Sequence, residues 1–79
     1  MLYSYQMKDK ELTFKVYYDT EDKWYTASCV EETIITQART FESLEKNIRE
    51  AVEVHFREEF ESKKFSPVIS LNYTLPVYA

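Results

Sequence analysis

No glycine occurs anywhere in these 79 residues. A phosphate-cradling glycine loop and a glycine-flanked nucleophile elbow are therefore excluded. Every turn must also be made without the residue that enters positive φ most easily. That leaves type I turns, or Asn and Asp in left-handed positions. Cysteine occurs once, at Cys29, so an internal disulfide is impossible and a reducing compartment is expected. Histidine also occurs once, at His55, and no Cys or Asp sits four residues from it in a metal-ligand pattern. No apolar run approaches the roughly 18 residues of a membrane span. The opening "MLYSYQMKDKEL" lacks a signal-peptide layout. The expected location is cytoplasmic, with no membrane contact. Positive charge is the scarcer sign: Lys and Arg number 10 against 14 Asp and Glu, a net charge of −4. Binding to nucleic acid needs clustered cations, so direct DNA binding is not expected, and an acidic domain more naturally meets a basic partner.

What is present suffices for one small domain spanning residues 1–79. Apolar residues make up 44% of the chain, enough for a core, and aromatic residues 16%. The stretch "LYSYQM" alternates, placing Tyr3, Tyr5 and Met7 on one face, a strand pattern. After the polar "KDKE", "LTFKVYY" sets Leu12, Phe14, Val16 and Tyr18 on one side and Thr13, Lys15 and Tyr17 on the other. "DTEDK" is an acidic turn, and "WYTASCV" follows as a strand of aromatic, β-branched and small residues. These three strands are expected to form an antiparallel meander. "IITQ" is a short fourth strand, and Thr40 is an N-cap. Behind it Phe41, Leu44, Ile48, Val52 and Phe56 recur at spacings of three and four, giving a helix with one apolar stripe. Its outer face offers Glu42–Lys46, Glu45–Arg49 and Glu53–Arg57 at i,i+4. Pro67 bars the helix from resuming, "VISLNY" is a last strand, and Pro76 confines the tail to an edge or loop. The expected architecture is α+β: an antiparallel sheet of four or five strands with one long helix on one face, in the order β-β-β-(β)-α-β. The opposite face is half apolar, and a second copy or a partner is its obvious cover.

Little in the sequence points to catalysis. His55 falls inside the apolar arc between Leu44 and Ile48, and so is expected to pack rather than react. Cys29 lies among small residues beside Glu31 and Glu32, a setting opposed to a reactive thiolate. Asp19, Glu21 and Asp22 share one turn, with Glu31 and Glu32 at the far end of the next strand. Two-metal nucleases gather carboxylates within strands. Here three of the five sit at a hairpin tip, which suits a solvated turn or a dock for a basic partner better than a metal. Trp24 is the candidate apolar anchor. No enzyme activity, metal or cofactor is expected.

The run "FKVYYDTEDKWYTASCVEETIITQARTFESLEKNIREAVEVHFRE" resembles the HicB-like antitoxin domain. The resemblance rests on Trp24, Tyr25 and Ala27 in an aromatic-rich strand and on the segment Ile35, Thr36 and Gln37. It continues with the helix start Thr40, Phe41, Glu42 and Leu44, with Glu50, Ala51 and Val52 at mid-helix, and with Pro67, Ile69 and Leu71 in the closing strand. It covers residues 14–73. It implies a partial ribonuclease-H-like fold, a homodimer or higher homo-oligomer, and a place in a toxin–antitoxin pair. The partner would be a small basic RNA-cleaving HicA-like toxin that the antitoxin binds and occludes. The glycines usual around the Ile35–Gln37 segment are missing, with Ala38 after it and Glu32-Thr33 before Ile34. That loop must adopt another conformation. Many relatives continue into a DNA-binding module; this chain reaches Ala79 after one strand, so any autoregulation is expected to need another protein.

Asp19, Glu21, Asp22, Glu31 and Glu32 are thus expected to supply charge to the partner, and Trp24 an apolar contact. The alternative is a solo homo-oligomeric domain of structural or ligand-binding role, with no toxin.

Overall fold

A computed structural model describes residues 10–62 and 65–74. It is α+β. The elements run β1 (Glu11–Asp19), β2 (Trp24–Cys29), β3 (Ile35–Ala38), α1 (Phe41–His55), α2 (Arg57–Glu61) and β4 (Val68–Tyr73). The four strands form one sheet in the order β3-β2-β1-β4, with the helix packed on one side.

Strict alternation makes β1 the spine. Leu12, Phe14 and Val16 are fully buried beneath the helix, while Glu11, Lys15 and Tyr17 point to the other side. Cross-strand partners share a face. Phe14↔Cys29 and Val16↔Ala27 therefore extend the helix-side layer into β2, and Tyr25↔Ala38 carries it into β3. On the other flank Leu12↔Ile69 and Phe14↔Leu71 carry it into β4. From above, Leu44, Ile48 and Val52 close this layer, one residue per helical turn, as the apolar stripe requires.

The helix begins where its cap dictates. Thr40 is extended (φ −123°, ψ 158°), and its Oγ1 accepts the Ser43 N–H at 3.1 Å. It breaks at Phe56 (φ −113°, ψ 38°), although the Phe56 N–H still donates to the Val52 carbonyl and the Phe60 N–H to the Phe56 carbonyl. The break lets Phe56 and Phe60 fold around the buried Phe65, with ring centroids 4.7 and 5.2 Å apart. None of the three i,i+4 pairs on the outer face closes. The two ion pairs among the described residues both belong to Glu32. Such exposed pairs stabilise a helix by only about 0.3–0.5 kcal/mol, too little to fix two long side chains.

The sheet is mixed, not antiparallel. β1–β2 and β2–β3 are antiparallel as expected, but β4 lies parallel to β1. The helix carries the chain back to the end of the sheet where β3 starts, so β4 must run in the same direction as β3. Two antiparallel steps make β3 parallel to β1, and β4 beside β1 is then parallel as well. The strand expected over residues 2–7 lies outside the described residues. The fourth expected strand, 34–37, appears one residue later at Ile35–Ala38.

The glycine-free β1–β2 turn uses two devices. Asp19 Oδ1 accepts the N–H groups of Glu21 (2.9 Å) and Asp22 (3.2 Å), and the Lys23 N–H closes the loop on the Asp19 carbonyl at 2.7 Å. Lys23 itself takes φ 60°, the one positive φ among the described residues, where Asn or Asp was expected. A β-carbon in that region costs roughly 1–2 kcal/mol.

Lys23→Gly should therefore raise stability by about 0.5–1 kcal/mol, and thermal unfolding should show a midpoint several degrees higher. Ile48→Ala, which empties the middle of the helix–sheet layer, should cost about 2–5 kcal/mol in a denaturant titration.

Candidate functional site

The face turned away from the helix is uncovered among the described residues. Register assigns its members: Lys15↔Ser28 and Tyr17↔Thr26 across β1–β2, Thr26↔Gln37 and Ser28↔Ile35 into β3, and Thr13↔Ser70 and Lys15↔Asn72 into β4. Thr13–Lys15–Tyr17 and Trp24–Thr26–Ser28 thus lie on one face. Tyr17 (48%), Ile35 (67%) and Val68 (57%) are exposed on it. Trp24 pairs with Asp19 at the hairpin end of this face, and the Arg39 guanidinium lies 4.4 Å from the centre of its ring. A cation held that close to an indole braces the ring in place. Arg39 is the site residue that sequence reasoning missed. It becomes visible only once Tyr25 is known to pair with Ala38, which sets the next residue opposite Trp24.

The five candidate acids do not converge. Asp19, Glu21 and Asp22 sit at one end of β2, and Glu31 and Glu32 just beyond the other. The strand's six residues separate the groups by about 17–20 Å at roughly 3.3 Å per residue. Within each group the roles differ. Asp19 is engaged in shaping its own turn, whereas Glu21 and Asp22 are exposed at the tip.

Glu31 serves the fold. The Val30 N–H donates to the Thr13 carbonyl at 2.8 Å, and the reciprocal Thr13 N–H donates not to Val30 but to Glu31 Oε1, also at 2.8 Å. The carboxylate thus replaces one ladder carbonyl where β2 turns away from β1. The same oxygen accepts from Cys29 Sγ at 3.6 Å. The Thr13 backbone N–H is the main reason the Glu31 carboxyl titrates below its ordinary value of 4.5, with the Cys29 contact assisting and partial desolvation opposing.

Glu32 joins three segments. Oε1 meets His55 Nε2 at 3.2 Å and Oε2 meets Lys10 Nζ at 3.5 Å. The expectation that His55 packs in the core is corrected here: its ring is exposed at the rim. By this turn the helix has reached the edge of the sheet, where only the bend 31–33 lies below. The imidazole meets Glu32 there and stands edge-on to Phe56 at 4.8 Å. Cys29, by contrast, is buried as expected.

A second group of rings sits on the helix side, near the hairpin end. Tyr25 lies 4.7 Å from Tyr18, 5.7 Å from Phe41 and 6.2 Å from Tyr73, with Phe41 and Tyr73 5.9 Å apart. Loss of water around Tyr73, then the neighbouring Tyr25, pushes its phenol above the ordinary value of 10.0. The rings pack against one another. Among the described residues no group of three or more His, Cys, Asp or Glu could hold a metal ion, and no helix is long and apolar enough to cross a membrane. No family model, curated protein or solved structure matches this chain.

The Glu31 bond makes stability pH-dependent in a fixed direction. Its carboxyl is more acidic folded than unfolded, so its contribution is complete above the ordinary pH 4.5 and is lost as pH falls through the lower, folded value. Denaturant midpoints measured from pH 6 down to pH 3 should fall less steeply in Glu31→Gln than in the parent chain.

Proposed function

We propose that this chain is an antitoxin-type protein of the HicB-like kind, which binds a small basic RNA-cleaving toxin and occludes it. The observation that carries the reading is an uncovered sheet face with exposed Tyr17 and Ile35, bordered by an acidic hairpin tip. A surface built to bind RNA attracts carboxylates for the same reason it attracts phosphates. Glu21 and Asp22 supply that charge from the tip, and Trp24, braced by Arg39, is the apolar anchor beside it. Asp19, Glu31 and Glu32 contribute indirectly, by holding the hairpin and the far bend in shape. Inhibition is steric: the docked sheet denies RNA access to the toxin, and this chain performs no chemistry and needs no cofactor. The partial ribonuclease-H-like fold, the cytoplasmic location and self-association belong to the same proposal. The mixed sheet with its helix between β3 and β4 is compatible with that fold.

A second reading, a homo-oligomeric domain with no toxin, draws support from the uncharged run Phe65 to Ala79, which suits self-contact better than contact with a basic protein.

The test is to mix the purified protein with a small basic RNA-cleaving toxin of the HicA-like kind and to follow RNA cleavage. Cleavage should stop at a stoichiometric ratio. The double variant Glu21→Lys, Asp22→Lys should keep its circular dichroism spectrum and bind roughly tenfold more weakly at low salt, with a smaller difference at high salt. Unchanged affinity would place the contact elsewhere on the molecule.

A further inference from the structure

Among the described residues β4 is the outer strand on its side of the sheet. Its Val68 N–H donates to the Lys10 carbonyl at 2.9 Å, and the Thr74 N–H donates to the Val16 carbonyl at 3.1 Å. Backbone groups alternate sides along a strand. Val68, Ser70, Asn72 and Thr74 therefore face β1, and Ile69, Leu71 and Tyr73 aim their N–H and C=O groups away from the sheet. Such a row is a template for another strand, and proteins usually guard it with charge, proline, brevity or a covering side chain.

The opposite edge has such guards. β3 is only four residues long, and Asn47 Nδ2 donates to the outward Gln37 carbonyl at 2.9 Å. β4 has only Pro67 at its start: in a chain that is 30% charged, no charged residue occurs from Phe65 onward. The ground beside β4 is also unfinished. Because α1 lies over β2 and β3, an open groove of about 250 Å³ remains between it and β4. Ile48, Pro67, Ile69 and Leu71 line it together with one acid, Glu45, and one base, Arg49.

We infer that a second copy of this chain pairs its own β4 antiparallel to this edge, with Leu71 opposite Leu71 of the copy. In that register Ile69 lies opposite Tyr73 of the copy, and every outward N–H of the two strands meets a carbonyl. The two sheets become one continuous sheet, and the two-fold axis presents each groove to its symmetry mate. Electrostatics selects the same seam. A chain of net charge −4 repels its copy, and an uncharged strand flanked by a balanced Glu45 and Arg49 is where that repulsion is least. The inference goes beyond the proposed self-association by naming the strand that mediates it, and it holds whether or not a toxin exists.

The experiment combines size-exclusion chromatography with light scattering and residue-resolved amide hydrogen exchange. The parent chain should run at twice its monomer mass, with the amides of Ile69, Leu71 and Tyr73 as protected as those of Ser70 and Asn72. Leu71→Pro removes one outward donor without touching a bond to β1, and should run as a folded monomer. Leu71→Ala, which shortens the same side chain but keeps the N–H, should remain a dimer. A monomeric parent chain, or a dimer that survives Leu71→Pro, overturns the inference. If Leu71→Pro fails to fold, the parent chain decides alone. Fast exchange at Ile69, Leu71 and Tyr73 beside slow exchange at Ser70 and Asn72 then rejects the pairing. A dimer that passes these tests yet inhibits no ribonuclease would reject the antitoxin reading and leave the β4 seam standing.

Discussion

Everything in this fold depends on β1 being hydrogen-bonded on both sides. Its even-numbered residues bond to β4 and its odd-numbered ones to β2, while Leu12, Phe14 and Val16 lie fully buried under the helix. β2 is the other central strand, but the three large side chains of β1 fix where the helix stripe must land. The connection from β3 through α1 to β4 then has one task, to reach the vacant side of β1, and the parallel pairing follows from it. The helix serves the β2–β3 half most closely. The asymmetry of the molecule, one half well covered and one half bordered by a groove, is a consequence of a single helix spanning a four-stranded sheet.

The acidic residues divide by what the backbone asks of them. Where β2 leaves β1 a carbonyl is missing from the ladder, and Glu31 supplies an oxygen in its place. Where the chain bends between β2 and β3, Glu32 ties the bend to the helix end and to Lys10. Asp19 performs a comparable service at the other end of the strand. With no glycine available, these carboxylates do part of the work that permissive backbone would otherwise do, and Lys23 absorbs the remaining positive φ. Glu21 and Asp22 at the tip are exposed beside the open face and accept no hydrogen bond that shapes the turn.

Alternation along "LTFKVYY" and the three-and-four spacing from Phe41 to Phe56 determined which residues of β1 and α1 are buried, because both periodicities are local geometry. Thr40 as cap and Cys29 as a buried thiol followed from residue type and immediate neighbours. Sequence alone could not say which strands are neighbours, since pairing joins residues far apart in the chain and leaves no local mark. The parallel β1–β4 ladder, the gathering of Tyr17 and Trp24 on one face, and Arg39 over Trp24 were all decided by that pairing. The fate of His55 was decided by where the sheet ends: the helical wheel put it on the apolar side, but no strand lies beneath that turn. The separation of the acids into two groups has the same origin. Six residues of β2 lie between them, and an extended strand holds its ends apart whatever charges it carries.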